Sequence, residues 1–258
     1  MKFKPHRLIN CAFTPSILSI QLTFAVLGFL LVSGCDTSQL VKLETLELPH
    51  LYIANTTEYP PVIDGKINPT EWDHAPWSEP FIDIEGVIQP KFSTRFKLLW
   101  DTEHLYILAQ LEEPHIWGTL KQRDTVVFYN NDFEVFIDPD GDTHKYMEIE
   151  INALNTVWDL FLERPYRNKV KADNGWDIDQ LQTAVGHRGT LNNPSDTDQD
   201  WVIEMALPWK SLDRGIPTSS LPVNEFWRMN FSRVQWEFEL QNSQYQRKKN
   251  AQGKKILY

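Results

Sequence analysis

Apolar and polar residues alternate along much of this chain with a period of two, the spacing of strands whose two faces meet different surroundings. Thr94-Arg95-Phe96-Lys97-Leu98-Leu99-Trp100 largely alternates, breaks at Asp101-Thr102-Glu103-His104 and returns as Leu105-Tyr106-Ile107-Leu108-Ala109-Gln110-Leu111. That pattern predicts a β-hairpin. Phe133 to Ile137 reads as a further strand, and Tyr146 to Asn152 alternates strictly. Thr156 to Leu162 pairs with 146–152 across Ala153-Leu154-Asn155, and Trp201 to Leu207 alternates more loosely. Tyr52-Ile53-Ala54 is a short apolar run. Helical signals are few: Asn68 and Pro69 suit the cap and first position of a short turn ending near Trp72, and Pro208 to Leu212 suits another. Many short strands joined by turn-rich connections predict an all-β fold, an antiparallel β-sandwich with jelly-roll or immunoglobulin-like layering and a few helical turns.

The first residues follow a different logic. Lys2, Lys4 and Arg7 form a basic leader, and an apolar run from about Ile17 to Val32 ends in Leu31-Val32-Ser33-Gly34-Cys35. This layout predicts an export signal over 1–34. Its small residues leading into a cysteine resemble a bacterial lipobox, so Cys35 is the expected site of lipidation. A membrane-spanning anchor is the other reading of the run, but it leaves the Ser-Gly-Cys ending unexplained. Lipid on Cys35 would hold the protein to a membrane face in the bacterial cell envelope, periplasmic or outer. Asp36 resembles an inner-membrane retention signal. Residues 35–50 read as a tether, and 51–258 as one domain. The chain has two cysteines, Cys11 and Cys35, so the domain has no disulfide to form.

Charge narrows the partners. Without the three basic residues of the leader, 22 basic residues face 35 acidic ones, a net charge of −13. Such a surface repels nucleic acid, and none is expected as a partner. Gln241 to Lys255 is polar and basic, the composition of a solvated loop or tail.

Ten tryptophans stand in this chain. Trp100, Trp201 and Trp227 suit a core, and Trp72 and Trp209 suit the pinning of helical turns to a sheet. Trp117, Trp158, Trp176 and Trp236 fall in loops or near strand ends. There an indole face would stack on a sugar ring, or simply pack beneath a loop. Asp138-Pro139-Asp140-Gly141-Asp142 gathers Asp138, Asp140 and Asp142 on a tight turn, a donor set for Ca²⁺ in a structural role; the same turn also reads as a plain solvated hairpin. It is not an EF-hand, because Ile149 stands where the bidentate glutamate is needed. No nucleophile elbow, zinc-protease or phosphate-loop motif is present. A glycosidase would need two carboxylates across a cleft, for which Glu134 with Glu204 or Glu150 are the candidates. No Cys-x-x-Cys-His occurs, and no haem is expected, although Met147 and Met205 lie in strand-like runs.

Taken in order, Ile63-Asp64-Gly65, Leu99-Trp100-Asp101, Leu105-Tyr106, Asp132-x-Glu134-x-Phe136-Ile137-Asp138, Glu150-Ile151-Asn152 and Trp201-x-x-Glu204 resemble the family 9 carbohydrate-binding modules over roughly 55–240. The resemblance implies a calcium-containing β-sandwich of the kind attached to xylanases, holding the ends of polysaccharides and small sugars between two aromatics. It implies non-catalytic binding of oligo- or polysaccharide in support of carbohydrate catabolism, with a glycan-hydrolysing enzyme domain as the alternative. It points to Tyr129 as the first stacking aromatic and to Glu134 as a partner for sugar hydroxyls. Glu150 occupies a position where the family often has arginine, and Glu112 and Glu113 replace a basic residue. The family's last strand, with its second stacking tryptophan, is expected to follow a segment like Phe231–Gln246, and this chain stops before it.

Overall fold

The alternating runs are taken up by two sheets in the computed structural model, which describes residues 50–86, 88–212, 223 and 225–257. The predicted leader and Cys35 lie outside the described residues. The first sheet has the order β1-β2-β3-β8-β7, from β1 (Asn55–Thr56), β2 (Thr94–Trp100), β3 (His104–Glu112), β8 (Asp200–Pro208) and β7 (Gln182–Arg188). The second has the order β6-β5-β4-β9, from β6 (Val157–Leu162), β5 (Tyr146–Asn152), β4 (Asp132–Asp138) and β9 (Arg228–Val234). All pairings within the sheets are antiparallel except β1 with β2. The chain is a β-sandwich, as the alternation predicts. The short first strand sits at Asn55–Thr56, just after the Tyr52-Ile53-Ala54 run, whose Tyr52 hydroxyl donates to the carbonyl of Pro76 and accepts the amide N–H of Leu98.

The inward positions of both sheets interdigitate. Leu105, Ile107, Ala109 and Leu111 of β3 and Trp201, Ile203, Met205 and Leu207 of β8 meet Phe133, Val135 and Ile137 of β4 and Met147, Ile149 and Ile151 of β5. Both methionines are therefore core, which leaves the haem reading without a ligand there. Period two places the other set of side chains outward, and the two outer faces differ in what covers them.

On the first sheet the cover is the segment 63–77. Asn68 caps α1 (Pro69–Trp72), its side chain accepting the Thr70 N–H, with Pro69 at the first helical position. The turn seats Trp72 on Leu99, Tyr106, Leu108, Val202 and Ala206. Glu204, fully buried at the centre of this face, accepts the indole N–H of Trp72 at 2.9 Å and the backbone N–H groups of Asp64 at 2.9 Å and Gly65 at 2.8 Å. Gly65 has φ +78° and lies against Gly186 of β7, where an added Cβ would stand 1.9 Å from the Gly65 carbonyl oxygen. Gly186→Ala is therefore expected to cost about 3 kcal/mol in urea unfolding, because backbone cannot move aside as a side chain can. An unchanged midpoint would show that the loop simply lifts.

One end of the sandwich is clamped by charge. Glu113, just beyond β3, holds Arg233 of β9 at 3.0 Å, with both side chains buried, and Arg233 also donates to Thr94 of β2. Burial raises the Glu113 carboxyl and lowers the Arg233 guanidinium, so desolvation outweighs the pair's attraction at both ends. Its value lies in joining two sheets at fixed register.

The polar C-terminal stretch is a correction to the sequence reading. It is a hairpin, β10 (Phe238–Gln241) with β11 (Gln244–Arg247), turning at Asn242 and Ser243, both at positive φ as a type I′ turn requires. Its anchor is Tyr245, buried against His115, Trp117 and Phe238, which a composition-based reading passes over among glutamines and lysines.

Candidate functional site

The outer face of the second sheet carries the unusual chemistry. Antiparallel register sets Trp158 (β6), Glu150 (β5), Glu134 (β4) and Ser232 (β9) in one row across four strands. Glu148 and Leu160 lie in the adjacent row. Two loop segments rise over these rows. The first includes the 3-10 turn Val127–Tyr129, whose Phe128 N–H donates to Glu150 at 2.9 Å. The second includes Tyr166, whose hydroxyl donates to Glu148 at 2.6 Å. Between them lies a cavity of about 410 Å³, floored by Glu134, Glu148 and Glu150 and walled by Phe128, Trp158, Leu160 and Tyr166. Phe128 and Trp158 are stacked, their ring centroids 6.2 Å apart. Lys171 and Asn174 stand among the lining residues.

Burial first, and like charge second, opposes ionisation of this floor. Burial, then the neighbouring carboxylates Glu134 and Glu148, push the Glu150 carboxyl up to about 9. Burial pushes Glu148 up to about 7, against the pull of the Tyr166 hydroxyl. Asp132, fully buried beside them, is raised well above the ordinary range by burial and by Glu134 and Glu150. Glu134 is raised by burial and partly relieved by the Ser232 hydroxyl. Asp132, Glu134 and Glu150 each bring a carboxylate oxygen within 4.8 Å of the others. Among the described residues no lysine or arginine makes an ion pair with any of the four.

The structure gathers Glu134, Glu150 and Trp158 at this cavity and sends the other predicted aromatics elsewhere. Trp117 is a correction: it is 2 % exposed, stacked on Tyr245 beneath the C-terminal hairpin, with no face open to solvent. Trp176 packs on Phe161 and the inter-sheet core. Tyr129 is exposed but does not line the cavity, and the Arg247 guanidinium lies 4.5 Å from its ring and 4.7 Å from that of Trp236. Trp236 spends its N–H on the Phe128 carbonyl. Sequence reasoning missed Phe128, one residue from Tyr129, because only the tight turn decides which of two adjacent aromatics faces the sheet. It also missed Glu148, although the alternation through Glu148 and Glu150 puts both on one face.

Other candidates resolve into structural roles. Glu204 sits on the outer face of the opposite sheet, so it shares no cleft with Glu134 or Glu150. Glu134 and Glu150 are direct cross-strand neighbours in a floor and do not flank a cleft. Asn152 builds the turn after β5, accepting from Leu154 and Thr156. In the Asp138–Asp142 turn, Asp138 accepts the N–H groups of Gly141 and Thr143, while Asp138, Asp140 and Asp142 each bring one oxygen within 4.8 Å of the others.

Comparisons with known proteins agree with this architecture. The chain is 24% identical over 168 residues to endo-1,4-beta-xylanase A of Thermotoga neapolitana, covering 65% of this chain and 14% of that protein. It is 25% identical over 154 residues to endo-1,4-beta-xylanase A of Thermoanaerobacterium saccharolyticum, covering 59% of this chain and 11% of that one. The chain thus spans about one seventh or less of these curated relatives. Among solved structures, a Bacteroides uniformis protein described as a candidate carbohydrate-binding protein superposes with a TM-score of 0.52 at 13% identity, over 71% of this chain and 83% of that one. A family 9 carbohydrate binding module from Caldicellulosiruptor kristjanssonii in complex with cellotriose superposes with a TM-score of 0.47 at 18% identity, over 74% of this chain and 80% of that one. The family model described as "carbohydrate family 9 binding domain-like" matches residues 63–224, well over half of the chain, and the protein belongs to that family.

Proposed function

We propose that this protein binds oligo- or polysaccharide without cutting it, in the cavity on the outer face of the second sheet. The observation that carries the reading is the cavity itself. Two aromatic side chains, Phe128 and Trp158, stand over a floor of carboxylate acceptors, matching the apolar C–H faces and hydroxyl edges of a sugar ring. Membership of the carbohydrate family 9 binding domain-like family supports sugar as the ligand class. A hydrolytic role has less support, since the three floor glutamates share one face and one hydrogen-bonded network.

Calorimetric titration with cello-, xylo- and manno-oligosaccharides tests this. At least one series is expected to saturate, and Trp158→Ala to weaken it about tenfold through loss of stacking area. Tyr129→Ala, outside the cavity, is expected to leave affinity unchanged. Absence of heat with every series, from folded protein, would overturn the reading.

Membrane attachment through lipid on Cys35, residence in the bacterial envelope and service to carbohydrate catabolism belong to the same proposal. They are supported by the leader pattern and the xylanase relatives. For calcium, the donor chemistry of Asp138, Asp140 and Asp142 fits a hard cation: three carboxylates on a glycine turn, with backbone already ordered around Asp138. There Ca²⁺ would brace the β4–β5 connection. Calcium is expected to raise the melting temperature of the wild type and not of Asp140→Asn. Equal shifts in both would move the ion elsewhere.

A further inference from the structure

The floor of the cavity offers acceptors in excess of what a neutral sugar can use. Three glutamates line it, the buried Asp132 stands against two of them, and one Asp132 carboxylate oxygen has no hydrogen-bond partner. Among the described residues no basic side chain pairs with this group; Lys171 lines the cavity, one positive group against three carboxylates. A second polar atom at the same place lacks a partner. Trp158, a cavity wall 9 % exposed, has an indole N–H that donates to nothing. The site therefore calls for a ligand that brings concentrated donors or positive charge to the floor and an apolar face to the aromatic walls. A bare metal ion would satisfy the carboxylates and leave the aromatic walls, Phe128 and Trp158, uncovered. A neutral sugar would cover the aromatic walls and bring no positive charge to the acidic floor.

We propose that the preferred ligand is a sugar carrying a free amine, its ammonium docked on Glu134, Glu150 and Glu148 and its ring against Phe128 and Trp158. An ammonium offers three N–H donors and one positive charge, which favours the ionised form of glutamates whose ionisation burial opposes, and aromatic faces attract cations as well as C–H groups. N-acetylation would remove the charge and two of the donors while adding bulk. The preference is thus for the deacetylated form. This inference rests on the proposed carbohydrate binding at the same cavity, and its test separates the two.

The test titrates the purified full chain at neutral pH, with a chelator present, using β-1,4-glucosamine oligomers, their N-acetylated counterparts and cello-oligosaccharides of equal length. The glucosamine series is expected to bind about tenfold tighter than either neutral series, from charge-assisted hydrogen bonds. In Glu150→Gln the ratio of amine to neutral affinity is expected to collapse toward one, even as the lost acceptor weakens both series, and an unchanged circular dichroism spectrum reports an intact fold. Glu134→Gln is the second variant and is expected to behave alike. Equal affinity for amine and neutral series, or an amine preference that survives both substitutions, would overturn the inference and leave the sugar module standing. Binding of no oligomer at all would overturn both.

Discussion

Glu204→Ala is expected to lower the free energy of unfolding by about 5 kcal/mol, the largest loss of any single substitution considered for this protein. The carboxylate is fully buried and collects three donors: the indole of Trp72 and the backbone N–H groups of Asp64 and Gly65. Burial raises its carboxyl despite those bonds. The ion is thus costly to hold, but its removal strands three donors where water has little access. The segment 63–77 would then lose its hold on the first sheet, with Trp72 as the chief casualty. Urea unfolding with an unchanged m-value gives the number directly. Glu204→Gln keeps one acceptor oxygen and should lose less than half as much. A loss under about 1 kcal/mol for the alanine variant would mean the three donors find other partners on relaxation.

The second large effect is an inverted response to pH. In calcium-free buffer, stability is expected to fall by on the order of 4 kcal/mol as pH rises from about 5 to about 9. In the folded protein Glu148 is pushed up to about 7 and Glu150 up to about 9, chiefly by burial, and Asp132 is raised for the same reason. The unfolded chain gives up these protons in the ordinary carboxylate range. Across the window between, the folded state holds more protons than the unfolded, so raising the pH favours unfolding. The groups facing this pair are Asp132 and Glu134 from β4, the Tyr166 hydroxyl from the overlying loop, and Lys171 at the cavity lining. Glu150→Gln cannot ionise yet keeps an oxygen for the Phe128 N–H. It should flatten the upper half of the profile and be more stable than wild type at the alkaline end. A flat or rising wild-type profile over this range would show that the floor ionises freely.

How far the sequence goes toward this site depends on which kind of pattern each residue obeys. Period two is local, so β2, β3, β4, β5, β6 and β8 were legible, and with them the outward placement of Glu134 and Glu150. Strand β7, Gln182–Arg188, was not: with a glycine at 186 and its middle residues all half-buried, it alternates too weakly to stand out. The hairpin of β10 and β11 was hidden for a similar reason, since a single buried tyrosine fixes it. Aromatic placement was legible least. Whether Trp117 is covered, or Arg247 lies over Tyr129, depends on segments more than a hundred residues away in the chain. The resemblance supplied the fold and the face of the sheet, and it flagged Glu150 as a departure. Only the register with Glu134 and the closeness of Asp132 and Glu148 turned that departure into a crowded acidic floor.

The order in which the two sheets close also bears on how the chain reaches this state. Strand β3 finds its partner β8 across about a hundred residues, Leu105 opposite Leu207, and β4 finds β9 over a similar span, Asp132 opposite Val234. The hairpins β2–β3 and β4–β5–β6 form early and locally. Each then waits with one open edge for a strand that comes last in the sequence. Loop-closure entropy makes such non-local pairing slow, in the millisecond-to-second range typical of sandwiches. During synthesis the first sheet is not complete until β8 has emerged, nor the second until β9 has. The unfinished hairpins are the species a chaperone would see, and β8 and β9 are the strands whose weakening would lengthen that exposure.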